Sequence, residues 1–375
     1  MTITDAPSAD ELRRHMADRL VRAGCIRSKP WRAAFLSVPR HEFVPTFTVR
    51  SQGSLHKYSQ GDPAWLAAAY QDISLLTQFN QDGTATSSST QPSLMAQMLE
   101  ALDVRDGDTV LEVGAGTGYN AALLSHRLGA DHIVTVDVDP KLVATAKARL
   151  QQSGYEPTLV AGDGMAGHPE RAPYDRLLAT CGVPRIPAPW LKQLRPGGMI
   201  VANVGCGIAC LSIAADHSAD GRFLPGLATF MVARPTPDAM GTTAQRLVKP
   251  LLTWTGQTRE ITVPASLDAT GPQFLASLLH PRVNDFVLAN DGRQMRCLFE
   301  PRTSSWARIT MTGVRDARLD HGGPRDLWAE REPLLAHWRD AGRPGHERYG
   351  LTVTPDGAHT LWLDGPENVR WRLPD

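Results

Sequence analysis

Val110-Leu111-Glu112-Val113-Gly114-Ala115-Gly116-Thr117-Gly118-Tyr119 is the stretch on which the fold turns. Four mostly apolar residues, a glycine-rich turn and a helical pattern from Asn120 to Leu128 predict a strand, a tight loop and a helix. Glycines lack a Cβ and tolerate positive φ, so the loop lets backbone come close to a ligand. The helix beyond it would offer unpaired N–H groups to whatever binds there. A dinucleotide fingerprint needs glycine at the first, third and sixth positions. Counted from Gly114, the sixth is Tyr119, so the loop predicts a ligand without a pyrophosphate.

Two further strand ends carry acids. Ile133-Val134-Thr135-Val136-Asp137-Val138-Asp139 places Asp137 19 residues past Gly118, the distance at which a carboxylate accepts from ribose hydroxyls. Thr158-Leu159-Val160-Ala161 runs into Gly162-Asp163-Gly164, where Asp163 is placed to accept from an exocyclic amine. A nucleoside without phosphates, held by two acids and a glycine loop, points to S-adenosyl-L-methionine. The expected cofactor set is Glu112, Gly114, Gly116, Gly118, Asn120, Asp137, Val138, Gly162, Asp163 and Gly164. Glu112 has two open roles, holding the loop or the methionine amine. Asp139, just before Pro140, reads as solvated or as a helix cap, not as a ligand contact.

Several segments together resemble the protein-L-isoaspartate (D-aspartate) O-methyltransferase family. They are Val38-Pro39-Arg40-His41-Glu42-Phe43-Val44-Pro45, Ala69-Tyr70-Gln71-Asp72 and Thr90-Gln91-Pro92 with Met95, Met98 and Leu99. The glycine loop, Gly162 to Gly167, Ala172-Pro173-Tyr174-Asp175 and Gln193-Leu194-Arg195-Pro196-Gly197-Gly198 continue the series. The resemblance covers roughly residues 10 to 207 and implies methyl transfer to a peptide carboxylate. It also implies that Thr90 contacts that carboxylate, where the family has a serine, and that Ser88 and Ser89 lie beside it near the cofactor. A second reading of Thr86 to Pro92 is a polar loop with Thr90 as N-cap and Pro92 in the first helical turn; the two are compatible. A side-chain carboxyl with a pKa near ~3.9 is already an anion at neutral pH, so no general base is required.

The chain departs from the family pattern at Leu75 to Ala85, at Cys181-Gly182-Val183-Pro184-Arg185-Ile186-Pro187 and in the length beyond residue 234. These departures suggest a client other than general isoaspartyl damage, and the serine run Ser87 to Ser89 before Gln91-Pro92, with the long C-terminal region, resembles a branch that methylates aspartate in ribosomally made, constrained precursor peptides. There the ester closes to a succinimide (aspartimide). The alternatives are repair of isoaspartyl residues in damaged proteins, a non-catalytic peptide-binding accessory protein, and methylation of a small carboxylic acid.

The expected fold is α/β, a Rossmann-like class I methyltransferase sheet with flanking helices, plus a smaller C-terminal α+β domain. Residues 1–80 form a helical, substrate-side segment of the catalytic unit. Residues 81–234 bind the cofactor, and 235–375 form an accessory domain gripping a client peptide. Arg234-Pro235-Thr236-Pro237 marks the boundary, because prolines interrupt regular pairing. Short strand patterns recur at Asp285–Ala289, Trp306–Met311, Gly350–Val353, His359–Leu363 and Val369–Leu373, with a helical pattern from Arg325 to Arg339. Five of the nine tryptophans fall after residue 300, and core packing is the commoner reason for that than peptide anchoring.

With 375 residues, 42% of them hydrophobic, the chain has material for two domains. Equal numbers of basic and acidic residues, 39 each, imply no broad attraction to nucleic acid or anionic membrane. Gly197 to Ala215 is uncharged but carries Asn203 and four glycines, so it predicts paired strands, not a membrane span. Ala9 to Ala23 lacks the order of a signal peptide. Five scattered cysteines fit a reducing, cytoplasmic setting without a zinc site or other metal. The expected partner is a peptide or protein bearing aspartate or isoaspartate.

Overall fold

The computed structural model describes residues 7–51, 53–237, 239, 251–264, 267–290 and 293–374. Two amphipathic helices come first. Helix α1 (Ala9–Arg22) starts at a capping box between Ser8 and Glu11, and α2 (Lys29–Ser37) at Ser28, whose Oγ accepts from the Trp31 N–H. They bury Met16, Leu20, Trp31 and Phe35.

Two hairpins follow. Strands β1 (Thr46–Ser51) and β2 (Ser54–Ser59), the short helix α3 (Trp65–Ala69), and strands β3 (Leu75–Phe79) and β4 (Ala85–Ser89) give a sheet in the order β2-β1-β3-β4. The segment 1–80, expected as helical, therefore also carries three strands. The stretch expected as a polar loop before Pro92 is largely strand β4. The Asn80 side chain accepts from the N–H groups of Asp82 and Thr84, and Gly83 takes φ +75°, which closes the β3–β4 turn. Along β4 the side chains of Ser87 and Ser89 are buried while Ser88 is half-buried, the period of a strand.

Helix α4 (Pro92–Ala101) leads into the central layer: β5 (Val110–Val113), α5 (Tyr119–Leu128), β6 (Ile133–Asp137), α6 (Pro140–Gln152), β7 (Thr158–Ala161), β8 (Tyr174–Val183), α7 (Ala188–Lys192) and β9 (Leu194–Val204). Strands β10 (Gly207–Ile213) and β11 (Ala219–Phe223) add an antiparallel meander. Beyond the boundary expected at 234 come β12 (Gln257–Thr262), α8 (Thr270–Leu279), β13 (Asn284–Asn290), β14 (Arg293–Glu300), β15 (Ser305–Met311), β16 (Asp316–Gly322) and α9 (Leu327–Asp340). Strands β17 (Tyr349–Val353), β18 (His359–Leu363) and β19 (Val369–Arg372) complete the described chain.

One ten-stranded sheet dominates, in the order β19-β18-β17-β11-β10-β9-β8-β5-β6-β7. Its parallel half, β9 to β7, is the Rossmann-like α/β layer. Both neighbours of β5 run parallel to it, and the chain winds outward through β6 and β7 before returning to β8. The strand order therefore reverses at the carboxyl end of β5, where open α/β sheets bind ligands.

The segment 235–375 divides in space. Strands β12 to β16 form a separate five-stranded antiparallel sheet whose core includes Leu298, Ile309, Leu319 and Trp328. Strands β17 to β19 instead extend the main sheet, β17 pairing with β11 over Ala219–Arg222. Tyr349, Leu351, Val353 and Leu361 share one core with Leu177, Ile200 and Leu211. Among the late tryptophans, Trp306, Trp328, Trp338 and Trp362 are buried. No helix among the described residues is long and apolar enough to cross a membrane.

Candidate active site

The glycine loop after β5 is built as its sequence demands. Gly114, Gly116 and Gly118 have φ of +101°, +52° and +87°. A Cβ on Gly114 would stand 2.7 Å from Thr180 Oγ1, and one on Gly118 3.2 Å from the Ala146 Cβ. Thr180 donates its hydroxyl to the carbonyls of Gly114 (2.7 Å) and Val113 (3.2 Å), tying the loop to β8.

Asp137, at the end of β6, braces the loop from the other side. Its Oδ2 accepts from the Gly116 N–H at 2.9 Å and its Oδ1 from the Asp139 N–H at 3.1 Å. Burial raises the Asp137 carboxyl pKa, and those two N–H groups pull it back down. Each of its oxygens keeps a lone pair for a ligand hydroxyl. Asp139 caps α6, accepting from the Lys141 N–H, and its other oxygen accepts from Gln78 Nε2 of β3. The Thr86 hydroxyl donates to Gln78 Oε1, so the hairpin is latched to the mouth of the main sheet.

Ser88, Ser89, Thr90, Gly114, Gly116, Asn120, Asp137, Val138, Asp163 and Gly164 all line one cleft above the carboxyl ends of β5 and β6. Asp163 also accepts from the Met165 N–H, ordering the turn that follows β7. Three residues of the expected cofactor set stand elsewhere. Gly162 and Gly118 lie off the cleft wall; Gly118 is the left-handed N-cap of α5, and its glycine is required for packing on α6. Glu112 is fully buried beneath the loop. It accepts from Asn120 Nδ2 at 2.6 Å, and burial pushes its carboxyl up to about 7. That hydrogen bond ties the end of β5 to the first turn of α5 directly behind the loop. Thr90 is not the N-cap of α4: Gln91 is, and Asp72 accepts from the Ser93 N–H to cap that end from a distance.

Arg40 of the Val-Pro-Arg segment is entirely buried and gathers five carbonyls. Its guanidinium donates to Ala69 (2.9 Å), Gln71 (2.9 Å), Ile73 (3.1 Å), Ser89 (3.5 Å) and Thr90 (3.1 Å). The hydroxyl segment is thus fixed by a cation that never reaches the cleft. His41 bonds the Tyr70 hydroxyl through Nδ1 at 2.7 Å.

Sequence reasoning missed the strap Thr229–Arg234, which forms the remaining wall of the cleft. Gly182 donates to the Met231 carbonyl and accepts from the Ala233 N–H, so the strap lies along the end of β8. A Cβ at 182 would meet Asn203 Oδ1 at 2.9 Å and the Phe230 carbonyl at 3.3 Å. The glycine of the departing Cys181-Gly182-Val183 segment is what admits this strap. Arg234 donates to the Thr86 carbonyl across the cleft mouth. The Pro235 and Pro237 that mark the segment as a linker gave no signal of this role.

The cleft suits a nucleoside-bearing methyl donor. Asp137 and Asp163 are acceptors at adjacent strand ends. The buried Ser89 Oγ and Asn120 Oδ1 have no partner among the described residues, although both residues face the cleft. Unpaired buried polar atoms are costly, and polar groups of a ligand would satisfy both. Fold and site together define an S-adenosylmethionine-dependent methyltransferase of the Rossmann-like class.

Residues 11–224 match the family model described as protein-L-isoaspartate(D-aspartate) O-methyltransferase. A protein-L-isoaspartate O-methyltransferase of Staphylothermus marinus is 39% identical over 201 residues, covering 52% of this chain and 79% of that protein. Another, of Methanopyrus kandleri, is 39% identical over 196 residues, 52% of this chain and 76% of that protein. A solved protein-L-isoaspartate O-methyltransferase structure aligns at 26% identity with a TM-score of 0.56, covering 94% of this chain and 100% of that one. The chain belongs to the protein-L-isoaspartate (D-aspartate) O-methyltransferase family and is a carboxyl methyltransferase. A 94% coverage takes in most of residues 235–375, so the extension is not foreign to a solved protein bearing that name.

Proposed function

We propose that this chain methylates the free carboxylate of isoaspartyl residues in peptides or proteins. The observation that carries this reading is the convergence of Ser88, Ser89 and Thr90 with Asp137 and Asp163 on one cleft, in a chain of this family. S-adenosylmethionine, when bound, supplies an electrophilic methyl group on a sulfonium sulfur. Asp137 and Asp163 would hold its nucleoside part, with the loop N–H groups and Asn120 beside them.

The substrate carboxylate is ionised near neutral pH and needs no proton removed, since an α-carboxyl has a pKa of about 3.5. What the protein must do is orient it. Neutral hydroxyls at Ser88, Ser89 and Thr90 hold an anion by hydrogen bonds without neutralising it, and Arg40 keeps their backbone rigid from behind. Alignment of this kind can be worth roughly 7–11 kcal/mol of barrier. The strap Thr229–Arg234 closes the cleft opposite the hydroxyls. On the released ester, the backbone nitrogen of the next residue attacks the carbonyl carbon, methanol leaves and a succinimide closes.

Methylation of aspartate in a constrained ribosomal peptide rested on the serine run and on the length beyond residue 234. The second support is removed by the solved relative that covers most of that length. Variants separate the two halves of the site. Asp163→Ala should weaken S-adenosylhomocysteine binding by calorimetry about tenfold, while Thr90→Val should lower kcat on an isoaspartyl peptide at unchanged S-adenosylhomocysteine affinity. Full turnover in both variants would place the site elsewhere.

A further inference from the structure

A second cleft, about 640 Å³, opens on the far side of the strap. Gly182, Thr229, Phe230 and Val232 stand at this cleft, and the last three line the first cleft as well, so the two are neighbours separated by one thickness of chain. One wall is the strap with the end of β8; the other is β13 with α8 and α9. Strand β13 is the last strand of its sheet, with no strand on its outer side among the described residues. Val232 and Val287, 67% and 50% exposed, stand on the two walls.

The two cations of this cleft share one sheltered carboxylate. Arg296 and Arg331, only 8% and 4% exposed, both reach it. Arg296 spends its donors on Asp285, on Asp268 and on the Leu267 carbonyl. Among the described residues, the one side-chain hydrogen bond of Arg331 runs from Nη2 to Asp285 Oδ2, at 2.7 Å. Asp268 is 83% exposed at its side chain and so is screened by water, leaving Asp285 as the sheltered carboxylate for two buried guanidinium groups. The other titratable groups on the walls are His280, whose pKa is lowered chiefly by burial, and Cys206, whose pKa burial raises, so neither adds charge at neutral pH. A buried guanidinium with unused donors is a site for a carboxylate.

We propose that this second cleft binds the substrate chain beside its isoaspartyl residue, with Arg331 taking a carboxylate carried by that same chain. The inference rests on the proposed function, because it needs a peptide whose isoaspartate already occupies the first cleft. An extended segment passing over the strap would lay its apolar side chains against Val232 and Val287 and its carboxylate against Arg331. That carboxylate is an acidic side chain or the peptide's own C-terminus.

The test is a series of isoaspartyl peptides, fluorescein-labelled, with Glu or Gln scanned through the flanks and the C-terminus free or amidated. We expect one flank position, or the free C-terminus, to improve kcat/KM about tenfold through KM and to tighten binding equally by fluorescence anisotropy. R331Q should bring the paired peptides together, and R331K should restore part of the difference. Equal binding and turnover of Glu and Gln peptides at every position, with no effect of amidation, overturns the inference even where methyl transfer itself proceeds. If no isoaspartyl peptide is methylated, the proposed function fails, and anisotropy still decides whether Arg331 reads a carboxylate. Should R331Q fail to fold, the wild-type series alone is decisive.

Discussion

Glu112 is a carboxyl placed where its charge is disfavoured. Full burial raises its pKa from 4.5 to about 7, against the opposing pull of Asn120 and Thr135. The folded state therefore holds this proton more tightly than the unfolded chain. Its stabilising contribution is complete below pH 4.5 and is lost as pH rises from there to about 7. Glu112→Gln keeps the acceptor for Asn120 without the charge. Relative to that variant, the wild type should lose up to roughly 3 kcal/mol of unfolding free energy between these limits, read by urea titrations across the range. A constant difference across the range would contradict the assigned burial. Asp137, Asp163, Gly114 and Gly116 were legible because a strand ending in acid or glycine fixes where the next side chain points. Glu112 was not: whether a residue at the end of a buried strand faces the ligand or the core depends on which helix packs over it. Here Asn120 of α5 claims it.

Elements were read well where side chains alternate and poorly where they do not. Strands β15, β17 and β18 follow the pattern written in the sequence, and their apolar members are largely buried. Strand β4 carries Thr86-Ser87-Ser88-Ser89, polar on both faces, so no alternation announces it. Its order comes instead from non-local partners, Arg40 behind it and Gln78 beside it. The loop between β5 and α5 gives the sharpest prediction at this scale. In Gly114→Ala, a Cβ 2.7 Å from Thr180 Oγ1 and a φ of +101° combine, at a strain on the order of 1–3 kcal/mol. Affinity for S-adenosylhomocysteine should fall at least tenfold by calorimetry, with a smaller loss in melting temperature than the affinity suggests. Wild-type affinity would mean that the loop has room the geometry denies.

The whole molecule is more interwoven than a boundary at residue 234 implies. The pairing of β11 with β17 joins Arg222 to Gly350, a separation that local periodicity cannot encode. Strands β17 and β18 bring Tyr349, Leu351, Val353, Leu361 and Leu363 into the core under the parallel strands. A chain ending at residue 234 would expose the edge of β11 and this apolar face, which favours aggregation. The prediction is that such a truncation is insoluble or binds a hydrophobic dye strongly, whereas the full chain does neither. A soluble, cooperatively folding 1–234 fragment with wild-type cofactor affinity would restore the separable accessory domain expected from the prolines.

On the proposed function, one cleft places a methyl donor against an isoaspartyl carboxylate. Its most direct test offers the full chain, with methyl-labelled S-adenosylmethionine, an isoaspartyl peptide, its aspartyl twin and a macrocyclic aspartyl peptide in parallel. Base-labile label is expected on the isoaspartyl peptide, with the linear aspartyl twin blank. Label on the macrocyclic aspartyl peptide alone would contradict it.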